Sequence, residues 1–85
     1  MQINFLESAN EDFEFFIKSG NKTVLKKINE LVKSIIQSPF EGIGKPEPLK
    51  HDLAGKWSRR INREHRMIYQ VENDKIYIWS LRGHY

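Results

Sequence analysis

Residues 57–81, WSRRINREHRMIYQVENDKIYIWSL, decide the fold. Three runs rich in aromatic and β-branched side chains, Trp57 to Asn62, Met67 to Glu72 and Lys75 to Leu81, have the pattern of strands. Asn73-Asp74 supplies a two-residue hairpin turn between the last two. Upstream the period changes. Val24, Leu25, Ile28, Leu31, Val32, Ile35 and Ile36 recur at three- and four-residue spacing until Pro39 stops the run, which predicts an amphipathic helix packed on a sheet. A shorter helix precedes it. Ser8 stands three residues before Glu11, a capping-box spacing that starts a helix near Ala9, Phe13, Phe16 and Ile17 give its apolar stripe, and Gly20-Asn21 ends it. Ile3 to Leu6 reads as a short strand. Residues 39–50, PFEGIGKPEPLK, hold all three prolines and two of the five glycines and read as an ordered loop. Helices first and a strand meander afterwards predict an α+β fold, with two helices on one face of an antiparallel sheet.

Eighty-five residues make one domain, 1–85. Ten aromatic residues and 39% apolar content supply a core, which argues against intrinsic disorder. Cysteine is absent, excluding disulfides, thiolate metal sites and thiol nucleophiles, and the expected setting is reducing. No apolar run approaches the ~20 residues of a membrane span, and MQINFLESANEDF turns acidic too early for a signal peptide. A soluble cytoplasmic protein is expected. The net charge of +3 is unevenly placed: residues 1–42 sum to −1 and residues 43–85 to +4, with every arginine and histidine in the second half. That asymmetry suits a polyanionic partner, nucleic acid first, although a solvated basic face gives the same numbers.

Metal-independent RNA cleavage needs a base for a 2′-OH, an acid for the leaving 5′-oxygen and cations for the charged phosphorane. The second half holds candidates for each. Glu47 sits between Pro46 and Pro48 and among Lys45 and Lys50. His84 stands one residue from the terminal carboxylate, which favours imidazolium, the form an acid requires. Arg59, Arg60 and Arg66 fall on neighbouring strands, where a planar guanidinium can grip a phosphate through two bonds. Plainer readings stay open at this point. Glu47 also fits a loop carboxylate paired with lysine, His84 an exposed terminal residue, and Arg66 a partner of Glu64 or Glu72. Trp57 and Trp79 read as core or half-buried sheet residues rather than base-stacking platforms. His51, His65 and His84 lack metal-ligand spacing, so neither metal nor cofactor is expected.

PFEGIGKPEPLKHDLAGKWSRRI, then EHRMIYQV and the terminal HY, resemble the YoeB-type toxins of the RelE/ParE superfamily, and KKINELV before SPFEG extends the match over nearly the whole chain. The resemblance implies a fold like the small microbial ribonucleases, with two helices against a twisted antiparallel sheet and the active surface on the opposite face. It implies the toxin of a type II toxin–antitoxin module, an endoribonuclease that cuts messenger RNA in the ribosomal A site and so inhibits translation, leaving 2′,3′-cyclic phosphate or 3′-phosphate ends. The family's general base falls on Glu47, its general acid on His84, its phosphorane-stabilising arginine on Arg66 and its substrate-placing tyrosine on Tyr85. Lys50 and Arg60 match basic positions near the scissile phosphate, and Arg59 and Arg63 join them as expected RNA contacts. A YefM-like antitoxin and a homodimer are the implied protein partners. Gly83 departs from the family, which carries a larger, often aromatic residue there, and glycine loosens the backbone before His84. Gyrase poisons share the superfamily fold without cutting RNA, so a non-catalytic inhibitor of gyrase or the ribosome is the alternative, and a plain RNA-binding module is a third.

Overall fold

A computed structural model describes residues 2–83. The chain opens with β1 (Gln2–Phe5), passes into α1 (Glu7–Lys18) and α2 (Lys22–Gln37), and then enters a loop. β2 (Glu47–Pro48), a one-turn 3-10 helix (His51–Leu53), β3 (Trp57–Arg60), β4 (Arg66–Glu72) and β5 (Lys75–Gly83) follow. The strands form one sheet in the order β1-β5-β4-β3-β2.

Both helices pack on one face of this sheet, and their stripes meet it as the periodicity requires. Phe16 from α1 and Val24, Ile28, Leu31 and Ile35 from α2 are buried against Met67, Tyr69, Ile76, Ile78 and Leu81. Helix α2 starts under a side-chain cap, with Asn21 Oδ1 accepting from the Val24 amide at 3.2 Å. Helix α1 has no such cap. It begins at Glu7, two residues before the Ser8–Glu11 spacing indicates, with Leu6 at the N-cap and its carbonyl accepting from the Asn10 amide. The β1 strand leads so directly into α1 that Ser8 is already inside the first turn.

Two further expectations are corrected. The sheet is mixed, because β1 runs parallel to β5 with Gln2 opposite Lys75 and Phe5 opposite Ile78. Alternation of apolar residues identifies a strand but carries no direction, and β1 docks at the edge beside the last strand of the chain. The 39–50 segment is also more than a loop. Glu47 and Pro48 pair with Ser58 and Trp57, extending the sheet by an edge strand, the place where a proline is tolerated.

Along β4 the side chains alternate. Met67, Tyr69 and Val71 join the core, which leaves Arg66, Ile68, Gln70 and Glu72 for the opposite, more open face, where Ile68 is nonetheless buried. On β3 the same alternation gives Ser58 and Arg60 to the open face and Trp57 and Arg59 to the helix side. β5 contains a bulge. Ile68 is opposite Ser80 and Tyr69 is opposite Ile78, so Trp79 is the inserted residue.

Candidate active site

The open face gathers the predicted residues at one end of the sheet. Glu47 on β2 is directly opposite Ser58 on β3, Ser58 is opposite Ile68 on β4, and Ile68 is opposite Ser80 on β5. The next row holds Arg60 opposite Arg66, with Arg66 opposite Gly83. Glu47 and Arg60 are exposed and Arg66 is half-buried. Arg66 Nη1 donates to Ser58 Oγ at 3.3 Å, which ties the arginine to the row of Glu47, and it makes no other hydrogen bond among the described residues. The alternative pairing of Arg66 with Glu64 or Glu72 is absent among the described residues. Glu64 instead stands 3.9 Å from His65, and Glu72 accepts from Gln70.

The Arg60–Arg66 pair is electrostatically unfavourable by itself. Like charges directly opposite on one sheet face repel, at a cost of ~0.2–1 kcal/mol. An anion between two guanidinium forks removes that repulsion and converts it to attraction. Glu47 lies one row away, so a carboxylate and two arginines share one end of this face. Lys50 is exposed just after β2, and Arg63 is exposed in the β3–β4 connection, so both add positive charge along the rim. That connection is shaped by Asn62, whose Oδ1 accepts from the amides of Glu64 and His65. His84 and Tyr85 lie outside the described residues, which end at Gly83 opposite Arg66.

Arg59 is corrected. It was expected among the RNA contacts, yet its side chain is fully buried. Strand alternation turns it to the helix side, where the guanidinium donates to five oxygens. These are Tyr69 Oη at 3.1 Å, Ser34 Oγ at 2.6 Å, and the carbonyls of Ser38 at 2.7 Å, Glu41 at 2.7 Å and Ile43 at 3.1 Å. Negative dipole density at the end of α2 replaces a carboxylate partner. The tethered segment, residues 38–43, leads into Gly44, whose carbonyl accepts from the Arg60 amide at 2.6 Å, and then into Glu47. Arg59 is therefore an anchor for the chain that presents Glu47, and it acts from the opposite face of the sheet.

The far end of β5 has its own anchors. β1 pairs with β5 only as far as Ile78, and beyond it the Leu81 amide donates to Asp12 Oδ2 of α1 at 2.9 Å. The Arg82 guanidinium stacks 3.8 Å from the ring centroid of Phe15. Helix α1 thus holds the strand close to its last residue, Gly83. Neither Asp12 nor Phe15 stood out in the sequence. Both sit on a helix whose stripe indicates burial, not what its rim touches.

This fold, two helices over one face of a five-stranded sheet with a basic opposite face, is the fold of small bacterial RelE-like toxins. A solved YoeB/ParE toxin from Agrobacterium tumefaciens superposes with a TM-score of 0.94 at 40% identity, covering all of both chains. A family model described as "YoeB-like toxin of bacterial type II toxin-antitoxin system" matches residues 5–85. Toxin YoeB of Escherichia coli K12 is 47% identical over 85 residues, the whole of both chains. The chain belongs to the YoeB family of type II toxin–antitoxin toxins. Similar solved structures include a YoeB dimer from Staphylococcus aureus (TM-score 0.90, 49% identity, 100% of this chain and 98% of that one) and a heterotetrameric YoeB–YefM complex from the same organism (TM-score 0.88, 49% identity, the same coverage). Among the described residues no helix is long and apolar enough to cross a membrane.

Proposed function

We propose that this toxin is a metal-independent endoribonuclease that cuts messenger RNA at the ribosomal A site. The observation that carries the reading is the Arg60–Arg66 pair, unfavourable without an anion, set one row from the Glu47 carboxylate. The RNA phosphate lies across Arg66, with Arg60 and Lys50 beside it. Glu47 takes the proton from the 2′-OH, whose oxygen attacks the adjacent phosphorus. Arg66 stabilises the charged phosphorane, and Ser58 fixes its guanidinium by accepting one of its N–H groups. His84 gives its proton to the departing 5′-oxygen and Tyr85 places the substrate, roles carried from the family motif. The products are a 2′,3′-cyclic phosphate, or the 3′-phosphate formed from it, and a 5′-hydroxyl end. A YefM-like antitoxin that covers the open face, and a homodimer, complete the partners, with action in the cytoplasm.

Cleavage mapping of one defined mRNA, with and without translating ribosomes, tests this. Cuts confined to A-site codons on ribosomes support it. Equal cutting of bare RNA removes the ribosome from the mechanism. Growth arrest with no cut RNA favours the non-catalytic alternative, an inhibitor bound to gyrase or the ribosome.

A further inference from the structure

The open face carries a second constellation, further along β4 and β5 from Glu47 and Arg66. Trp79, inserted by the β5 bulge, is 39% exposed where a core or half-buried residue, and not a stacking platform, was expected. Its indole Nε1 donates to Gln70 Oε1 at 3.2 Å, and Gln70 Nε2 donates to Glu72 Oε2 at 3.4 Å. The Lys56 ammonium stands 4.5 Å from the centroid of the indole ring. A shallow depression of about 260 Å³ adjoins the ring, lined by Leu6, Gln70, Glu72, Tyr77 and Trp79.

Three features set this tryptophan apart from an ordinary surface aromatic. A bulge re-aims it out of the pleat. A hydrogen bond fixes the ring plane, so little further order is needed to stack on it. A cation over the ring supplies the charge that a polyanion seeks. Trp79 enters β5 between the partners of Ile68 and Tyr69, and Gln70 is four residues from Arg66 on the same face of β4. This places the platform roughly 7–13 Å along the strand from Arg66. A short run of single-stranded RNA spans such a distance.

We propose that Trp79, oriented by Gln70 and flanked by Lys56, is a stacking subsite for one unpaired base of the bound RNA. The placement relative to the scissile phosphate rests on the ribonuclease reading, whereas the stacking itself does not. Gln70 and Glu72 stand at the edge of the platform, where a base presents its donors and acceptors. Lys56 attracts the adjoining phosphate.

The chain has two tryptophans, so in a Trp57→Phe background the indole emission reports Trp79 alone. The probe is a hexaribonucleotide carrying 2′-O-methyl groups throughout, which blocks attack by the 2′-oxygen. Binding quenches the emission, and moving one abasic nucleotide along the hexamer abolishes quenching at a single position with about ten-fold weaker affinity. On translating ribosomes, with Trp57 intact, Trp79→Ala raises KM about ten-fold and Trp79→Phe restores most of the loss. Quenching that ignores the abasic position overturns the proposal, as does wild-type KM for Trp79→Ala. Emission that changes only with protein concentration, or only with an acidic peptide, also overturns it and assigns the patch to a protein contact. Full cleavage by Glu47→Ala would instead refute the catalytic roles and leave the single-position quenching standing.

Discussion

Arg59 Nε donates to the phenol oxygen of Tyr69 at 3.1 Å, and that oxygen donates in turn to the Pro39 carbonyl at 2.6 Å. A charge and a hydroxyl, both buried, thereby fasten the end of α2 and the following loop beneath the edge strand that bears Glu47. Losing this anchor exposes the cost of several buried acceptors at once. Arg59→Met is expected to lower stability by about 3 kcal/mol or more, read as a urea midpoint. Arg59→Lys rescues little of it, since an ammonium cannot span acceptors arranged for a planar fork. A wild-type midpoint for Arg59→Met would show that the network contributes nothing net.

Tyr69 also gives the fold a pH limit. Burial pushes its phenol above the ordinary value of about 10, against the hydrogen bond and charge of Arg59, which pull it down. The raised group holds its proton more firmly folded than unfolded. Its contribution is therefore complete below pH 10 and is lost as pH rises through the folded value. Urea midpoints measured at pH 7, 9, 10 and 11 should fall more steeply for wild type above pH 10 than for Tyr69→Phe. The variant starts about 1–3 kcal/mol lower, because Pro39 and Arg59 lose their partner. Parallel curves would contradict the assignment.

Gly44 lies at φ +82°, and a Cβ there would meet Leu31 Cδ2 at 2.7 Å and the Arg60 carbonyl oxygen at 3.2 Å. Gly55, at φ +91°, would meet nothing within 4 Å. Gly44→Ala is thus expected to cost about 1–2 kcal/mol more than Gly55→Ala, since only the first adds crowding to backbone strain. Equal losses in thermal or urea midpoints would mean that the approach of the loop to α2 and β3 is not tight.

The proposed phosphate contact of Arg60 predicts a trade of stability for binding. Arg60→Ser should leave the fold unchanged or more stable by up to ~1 kcal/mol at low salt, by relieving the repulsion from Arg66. The same change should weaken RNA binding and reduce the slope of log affinity against log salt by about 0.7 to 1. Arg63→Ser should reduce the slope similarly. An unchanged slope for both would remove them from the phosphate contacts.

Much of this architecture was legible in the sequence because its signals are local. The α2 stripe, the Asn73-Asp74 turn and the strand runs each need only a window of residues to read. Arg59 was misplaced because neighbouring Arg59 and Arg60 look alike in composition, and only alternation against a known core side separates a buried anchor from a surface cation. The β2 pairing escaped for a similar reason. Two prolines signal an irregular segment, whereas the edge of a sheet accepts them once Ser58 and Trp57 are in place. The parallel β1 was hidden because its partner lies 73 residues later, with Gln2 opposite Lys75. The motif singled out Glu47 and Arg66 as candidates, but their shared neighbour Ser58 required register.

In the proposed mechanism the 2′-OH of the RNA itself attacks the phosphate that Arg66 holds, with Glu47 as base. It is tested most directly by an mRNA carrying a single 2′-deoxy nucleotide at the cleaved position, read on translating ribosomes beside its all-ribose counterpart. Under this mechanism the deoxy substitution abolishes that cut, and Glu47→Gln lowers the rate on the all-ribose mRNA by about 100-fold or more. Cleavage of the deoxy-substituted mRNA at the wild-type rate would contradict it.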